Sequence, residues 1–181
     1  QHPKPDYIGI NFSPLSRRQP DAATRLALEN FPDFPERLVA VFYRNTEDEI
    51  RAILDQYPFR IIQLYAHDVR PEFLRSLRHK VILACALRTA ADLELLEDFA
   101  ADVDLFILDG AVPGSGKGAP VIIPADFAYP FLLAGGLQID NLDRISAYEN
   151  CLGVDVASGL ETDDQVDGLK IQTIAERLSI I

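Results

Sequence analysis

Cysteine occurs only twice in 181 residues. A disulfide framework would need more of it, together with a secretory context, and neither is visible. Cys85 and Cys151 sit in the apolar runs VILACAL and CLGVDV, so both are read as buried thiols in a reducing, cytoplasmic compartment. Histidine is scarce as well. His2, His67 and His79 show no ligand spacing, and no cluster of Cys, His and carboxylate suggests a metal centre. No metal site is therefore expected. Positive charge is in short supply: 17 Lys and Arg stand against 28 Asp and Glu, for a net charge of −11 and a pI near 4.6. That balance argues against a broad nucleic-acid or anionic-membrane surface. A small anionic ligand stays open, because a few backbone N–H groups and one arginine suffice to bind phosphate or carboxylate. Long apolar runs are missing too. Those present are too short for a membrane span, and no signal-peptide pattern appears.

What remains is an ordinary globular balance, 48% apolar and 25% charged. The length fits one domain, taken as residues 1–181. Short apolar runs recur along it: DYIGINF (6–12), LVAVFY (38–43), IIQLYA (61–66), VILACAL (81–87), LFILDG (105–110), FLLAGGL (131–137) and CLGVDVASG (151–159). Each is nearly continuous rather than alternating, the pattern of parallel strands buried on both faces.

Helical patterns lie between the runs. In TEDEIRAILDQY, Ile50, Ile53, Leu54 and Tyr57 share a face, and Thr46 with Glu49 makes a capping box. TAADLELLEDF opens with Thr89 and Asp92 at a similar spacing, and Pro71 suits the first turn of PEFLRSLRH. DNLDRISAYEN, KIQTIAERLSII and residues 21–30 are also read as helical, FPDFPER as a proline-broken connection, and ETDDQVD as a solvated loop.

The strand starts are separated by about 20 to 31 residues, a βα rhythm. A doubly wound open sheet and a closed barrel both fit it. The uniformly apolar strands favour the barrel, as do the polar and glycine-rich residues gathered at strand C-terminal ends. A (β/α)8 TIM barrel with seven of its eight strands visible is the expected fold. The rhythm predicts a further strand and helix, on the order of 24 residues, before Gln1. Without them the first and last visible strands would carry unpaired edges, an aggregation liability.

Five segments are candidates for chemistry. SPLSRR (13–18) is either a solvated basic loop or a carboxylate grip. Asp109, at the end of LFILD, is either a strand-ending turn residue or a carboxyl whose partial desolvation makes it a general acid. GSGKG (114–118) does not match a P-loop and is read as a surface loop or lid. LAGGL (133–137) and VASGLE (156–161) are two late strands that each end in glycine, with a helix to follow. Backbone N–H groups of such loops frequently bind phosphate in barrels.

The order of these motifs resembles the phosphoribosylanthranilate isomerase family of tryptophan biosynthesis. DYIGINF with SPLSRR looks like its second strand and Ser-x-Arg loop. LFILD with GSGKG looks like its Leu-Leu-Asp and glycine-rich segment. PFLLAGGL with Asn141, and GVDVASGLE with GLKI, match its last two strand regions. The resemblance implies a (β/α)8 barrel that needs no cofactor or metal and takes a small-molecule phosphosugar. Its reaction is the Amadori rearrangement of N-(5-phosphoribosyl)anthranilate to 1-(2-carboxyphenylamino)-1-deoxyribulose 5-phosphate. It also implies roles. Asp109 would be the acid, and Arg18 would hold the anthranilate carboxylate. Gly135, Gly136, Ser158 and Gly159 would hold the phosphate, and Asp155 would be a further substrate-site carboxylate.

Two departures stand out. The family's base is a cysteine in a first strand that this chain does not show, and neither Cys85 nor Cys151 matches it, so the chain as it stands is expected to lack that base. Where the family reads Gln-Leu-His-Gly, this chain reads Gln63-Leu64-Tyr65-Ala66. Two other readings are a noncatalytic phosphate-ligand barrel and another phosphosugar barrel enzyme. An indoleglycerol phosphate synthase type would want catalytic lysines at strand ends, whereas only Lys117 is expected near the site.

Overall fold

The computed structural model describes residues 4–28, 30–31, 34–110, 123–124 and 126–180. Its residues group into two compact units. The first comprises Asp6–Ala84 with Asp98–Asp104, the second Gln1–Pro5, Cys85–Glu97 and Leu105–Ile181.

In the first unit, β1 (Ile8–Asn11), β2 (Leu38–Val41), β3 (Ile61–Tyr65) and the start of β4 (Lys80–Leu87) are parallel and paired in chain order. All four β2 residues are buried, as are the first four of β3. This is what the continuous apolar runs require, since a parallel strand is covered on both faces. β1 is only half-buried and pairs with β2 alone among the described residues. The helices are α1 (Ala22–Leu28), α2 (Phe34–Arg37), α3 (Glu47–Gln56) and α4 (Pro71–Ser76). A cluster of Phe12, Phe34, Phe42, Tyr57 and Phe59, with ring centroids 4.8–6.1 Å apart, fills the space between strands and helices. Such offset and edge-to-face pairs add to the burial of the rings.

The α3 capping box forms as the spacing predicts. Glu49 N–H donates to Thr46 Oγ1 at 3.2 Å, and Thr46 N–H donates to the Glu49 carboxylate at 2.8 Å. Pro71 opens α4. Thr46→Ala removes one of the two reciprocal bonds, and the protein should lose about 1 kcal/mol, the usual size of such a loss. A urea unfolding midpoint that does not move would show the cap to be dispensable.

The second unit holds the end of β4, α5 (Ala90–Glu97), β5 (Leu105–Gly110), β6 (Phe131–Ala134), β7 (Cys151–Val154) and α6 (Gly168–Leu178). β5, β6 and β7 are parallel, again in chain order, with one irregularity between Phe131 and Leu132. β7, like β1, is only half-buried, and it pairs with β6 alone among the described residues. Rings of Phe106, Phe127, Tyr129, Phe131 and Tyr148 lie 5.6–6.1 Å apart along this core. Asp92 is buried in α5 because its carboxylate accepts from the Arg88 and Thr89 N–H groups, both at 2.7 Å, and from the Thr89 hydroxyl at 3.2 Å. A buried carboxylate survives when it is fully hydrogen-bonded at a helix start.

Three local expectations are corrected. Residues 139–147 form a 3₁₀ helix rather than an α-helix. ETDDQVD is not a loop but a tight hairpin of β8 (Glu161–Thr162) and β9 (Gln165–Val166). Asp163 and Asp164 turn it at φ 50° and 62°, the left-handed pair that a two-residue hairpin demands. Within FPDFPER, residues 34–37 close into the single turn of α2. The GSGKG loop, including Lys117, lies outside the described residues.

Candidate active site

Asp109 ends the apolar part of β5 and pairs in register with Ala134 of β6. Leu133 pairs with Val154, and the Asp155 N–H donates to the Leu133 carbonyl at 2.9 Å. Asp155 therefore stands level with Ala134, and through it with Asp109. Residues level with one another on neighbouring parallel strands project to the same face. The two carboxyls thus share a face on either side of a methyl group.

Their environments differ. Asp109 is reached by solvent, yet it lies among enough protein atoms for burial to push its pKa above the ordinary carboxylate value. The Arg88 guanidinium pulls it partly back. Asp155 is less exposed. Burial pushes its pKa up first, and the charge of Asp109 adds to the effect. A carboxyl raised in this way keeps its proton to higher pH, which is what a general acid near neutrality needs.

The loop after β6 turns on Gly135 and Gly136, at φ 93° and 60°, where a side chain would be strained. Asn141 pins that loop. Its Nδ2 donates to the Gly136 carbonyl at 3.1 Å, and its Oδ1 accepts from Gln138 N–H at 2.9 Å. Ser158 and Gly159 begin a short 3₁₀ turn after β7. Gly159 lies directly on the loop from β6: a Cβ there would stand 2.1 Å from the Leu137 carbonyl oxygen. Ser158 and Gly159 also line a cavity of about 360 Å³ with Gln138, Ile139, Asp140, Glu161 and Lys170. That volume is at the small end for ligand pockets. Lys170 donates to the Glu161 carbonyl.

Arg18 belongs to the first unit, in the loop after β1. Ser13 organises this loop while almost fully buried. Its Oγ accepts from Leu15 N–H at 3.2 Å, and its carbonyl accepts from Gln19 Nε2 at 2.6 Å. The Arg18 N–H donates to Ser16 Oγ at 3.0 Å, so serine at that position shapes the backbone carrying the exposed arginine.

Neither thiol is poised as a base. Burial, with the Asp92 charge second, pushes Cys85 up to about 11. Burial also raises Cys151, whose Sγ is 3.2 Å from the Gly153 carbonyl. Sequence reasoning missed two cations. Arg88 follows a strand with no motif around it. Lys170 sits in GLKI, a segment that the sequence marks only by its family match; the place of Lys170 beside Ser158 and Gly159 corrects the expectation that Lys117 alone lies near the site. Among the described residues, no helix is long and apolar enough to cross a membrane.

Known proteins resemble this chain along nearly its whole length. The family model described as N-(5'-phosphoribosyl)anthranilate (PRA) isomerase matches residues 2–177. The N-(5'-phosphoribosyl)anthranilate isomerase of Brevibacillus brevis is 32% identical over 188 residues, covering 96% of this chain and 83% of the relative. A crystal structure of phosphoribosyl anthranilate isomerase with reduced 1-(o-carboxyphenylamino)-1-deoxyribulose 5-phosphate superposes with a TM-score of 0.78 at 24% identity. It covers 97% of this chain and 88% of that one. The Thermus thermophilus phosphoribosyl anthranilate isomerase gives 0.74 at 27% identity, covering 97% and 88%.

Proposed function

This chain belongs to the N-(5'-phosphoribosyl)anthranilate isomerase family of tryptophan biosynthesis, and from that premise we propose how its residues serve the Amadori rearrangement. The chain acts as one barrel domain, residues 1–181, in the cytoplasm. Asp109 protonates the ribose ring oxygen of N-(5-phosphoribosyl)anthranilate and opens the ring to a Schiff base. Loss of the C2′ proton to a base then gives an enolamine, which tautomerises to the ketone. Arg18 holds the anthranilate carboxylate, a planar anion suited to a guanidinium fork. Backbone N–H groups around Gly135, Gly136, Ser158 and Gly159 hold the phosphate, where glycine permits close approach. Asp155 completes the substrate site.

The observation that carries this reading is Asp109 itself: a carboxyl at the C-terminal end of an apolar strand, its pKa raised by burial. The test is a turnover assay following loss of N-(5-phosphoribosyl)anthranilate. Conversion above the buffer rate supports the reading. In a protein that also carries the family's first strand and its cysteine, binding of a reduced product analogue without turnover favours a noncatalytic ligand-binding barrel. For Arg18→Ala the expected result is a KM raised roughly tenfold to a hundredfold, the size of one charged hydrogen-bonded contact. Arg18→Lys should restore little of it, because a point charge does not reproduce the fork. An unchanged KM in both variants removes Arg18 from the site.

A further inference from the structure

Asp109, Ala134 and Asp155 occupy one level across β5, β6 and β7, so the Cα atoms of the two aspartates are roughly 9–10 Å apart, two strand spacings. Both side chains project to one face, and the residue between them is a buried alanine, which carries no group that could pair with either carboxyl. At this level β6 offers only Leu133 and Ala134, neither of them charged. The charge that acts on Asp155 comes from Asp109 of β5. The charge that acts on Asp109 comes from Arg88, just beyond β4.

We infer that Asp109 and Asp155 form one coupled carboxyl pair across Ala134, with the proton resting on Asp155 and the negative charge on Asp109. The asymmetry follows from placement. Asp155 is the less exposed of the two, whereas Asp109 is reached by solvent and faced by a cation. Two like charges in one site ionise one at a time, and the better solvated, cation-facing group ionises first. The consequence for catalysis rests on Asp109 being the acid. An anionic substrate arriving beside Asp109 disfavours its charge, and the Asp155 proton is relayed to the Asp109 carboxylate through the solvent that reaches Asp109, because carboxyls two strand spacings apart are out of direct hydrogen-bond reach. Asp109 then donates it to the ring oxygen, leaving Asp155 ionised until it recovers a proton from solvent. Asp155 is thus a positioning residue that supplies Asp109.

Carboxyl titration by carbon NMR tests this on protein labelled at aspartate carboxyl carbons. Asp155 should titrate at higher pH than Asp109. In Asp109→Asn the Asp155 midpoint should move down. In Arg88→Gln the Asp109 midpoint should move up towards that of Asp155. If Asp109→Asn fails to fold, the Arg88→Gln arm makes the same distinction with both carboxyls in place. Asp109 titrating above Asp155, or midpoints that ignore these substitutions, overturns the pair. Kinetics adds an independent readout. Asp155→Asn should lower kcat at neutral pH about tenfold, the effect of one pK unit of coupling, and change KM less than kcat. A raised KM with unchanged kcat would make Asp155 a simple binding group and overturn its proton-supplying role. Loss of rate in Asp109→Asn with an unmoved Asp155 midpoint sinks the pair alone. Full rate there with a moved midpoint sinks only the acid assignment.

Discussion

Asp109→Asn should lower kcat by roughly 10² to 10⁴, the contribution of a positioned general acid. Its KM should stay near that of the unaltered protein, because the asparagine keeps the shape of the side chain and loses only the transferable proton. The same substitution should not weaken the fold. Burial raises the pKa of Asp109, so its ionised form is disfavoured in the folded state at neutral pH, and a neutral amide relieves that penalty. A variant that melts at or above the parent temperature while losing turnover would bear out both halves. One that keeps full rate would end the acid assignment. For the unaltered protein the sign of the pH dependence follows: the proton that Asp109 donates is held by carboxyls whose pKa values are raised and is lost as pH rises through those values, so kcat should decline on the alkaline side, later than an ordinary carboxyl would allow.

The second large effect is expected at Gly159. An added Cβ would stand 2.1 Å from the Leu137 carbonyl oxygen and 2.9 Å from the Val156 side chain. The first of these is backbone, which cannot rotate away, so one of the two loops must shift. Gly159→Ala should cost about 1–3 kcal/mol, typical of forced overpacking. For a chain of this length that is a fall of roughly 2–4 °C in Tm per kcal/mol. Because the displaced loops are those proposed for phosphate, KM should rise as well, at least tenfold. Thermal melting and steady-state kinetics on one preparation check both, and an alanine variant indistinguishable from the parent would refute the close approach.

The strands were legible because continuous apolar runs have few alternatives: β2 and β3 are buried along nearly their whole length, as such runs demand. The α3 cap was legible because its signal is local, two residues three apart. The 3₁₀ helix at Ile139–Ala147 was not, because its residues carry the same periodic apolar pattern as an α-helix over so short a span. The β8–β9 hairpin was hidden by its charge. Asp163 and Asp164 look like solvated loop residues, and their tolerance of left-handed backbone is easily overlooked. At the candidate site, Asp109 announced itself by interrupting an apolar run. Asp155 came into view only through the family resemblance, and its alignment with Asp109 depends on the pairing of β6 with both neighbours, which no single segment encodes. Arg88 had no local signal at all, because only the electrostatics of the folded unit tie it to Asp109.

The Asn141 side chain deserves a thermodynamic reading. By joining the Gly136 carbonyl to the Gln138 N–H, it holds the turn after β6 in one shape before any ligand arrives. The conformational entropy of that turn is therefore lost during folding rather than during binding. In the proposed phosphate role, an incoming anion would meet a turn that is already ordered. Its affinity is then set by contact and desolvation, with little charge for ordering the loop, and association should need no slow rearrangement of this segment.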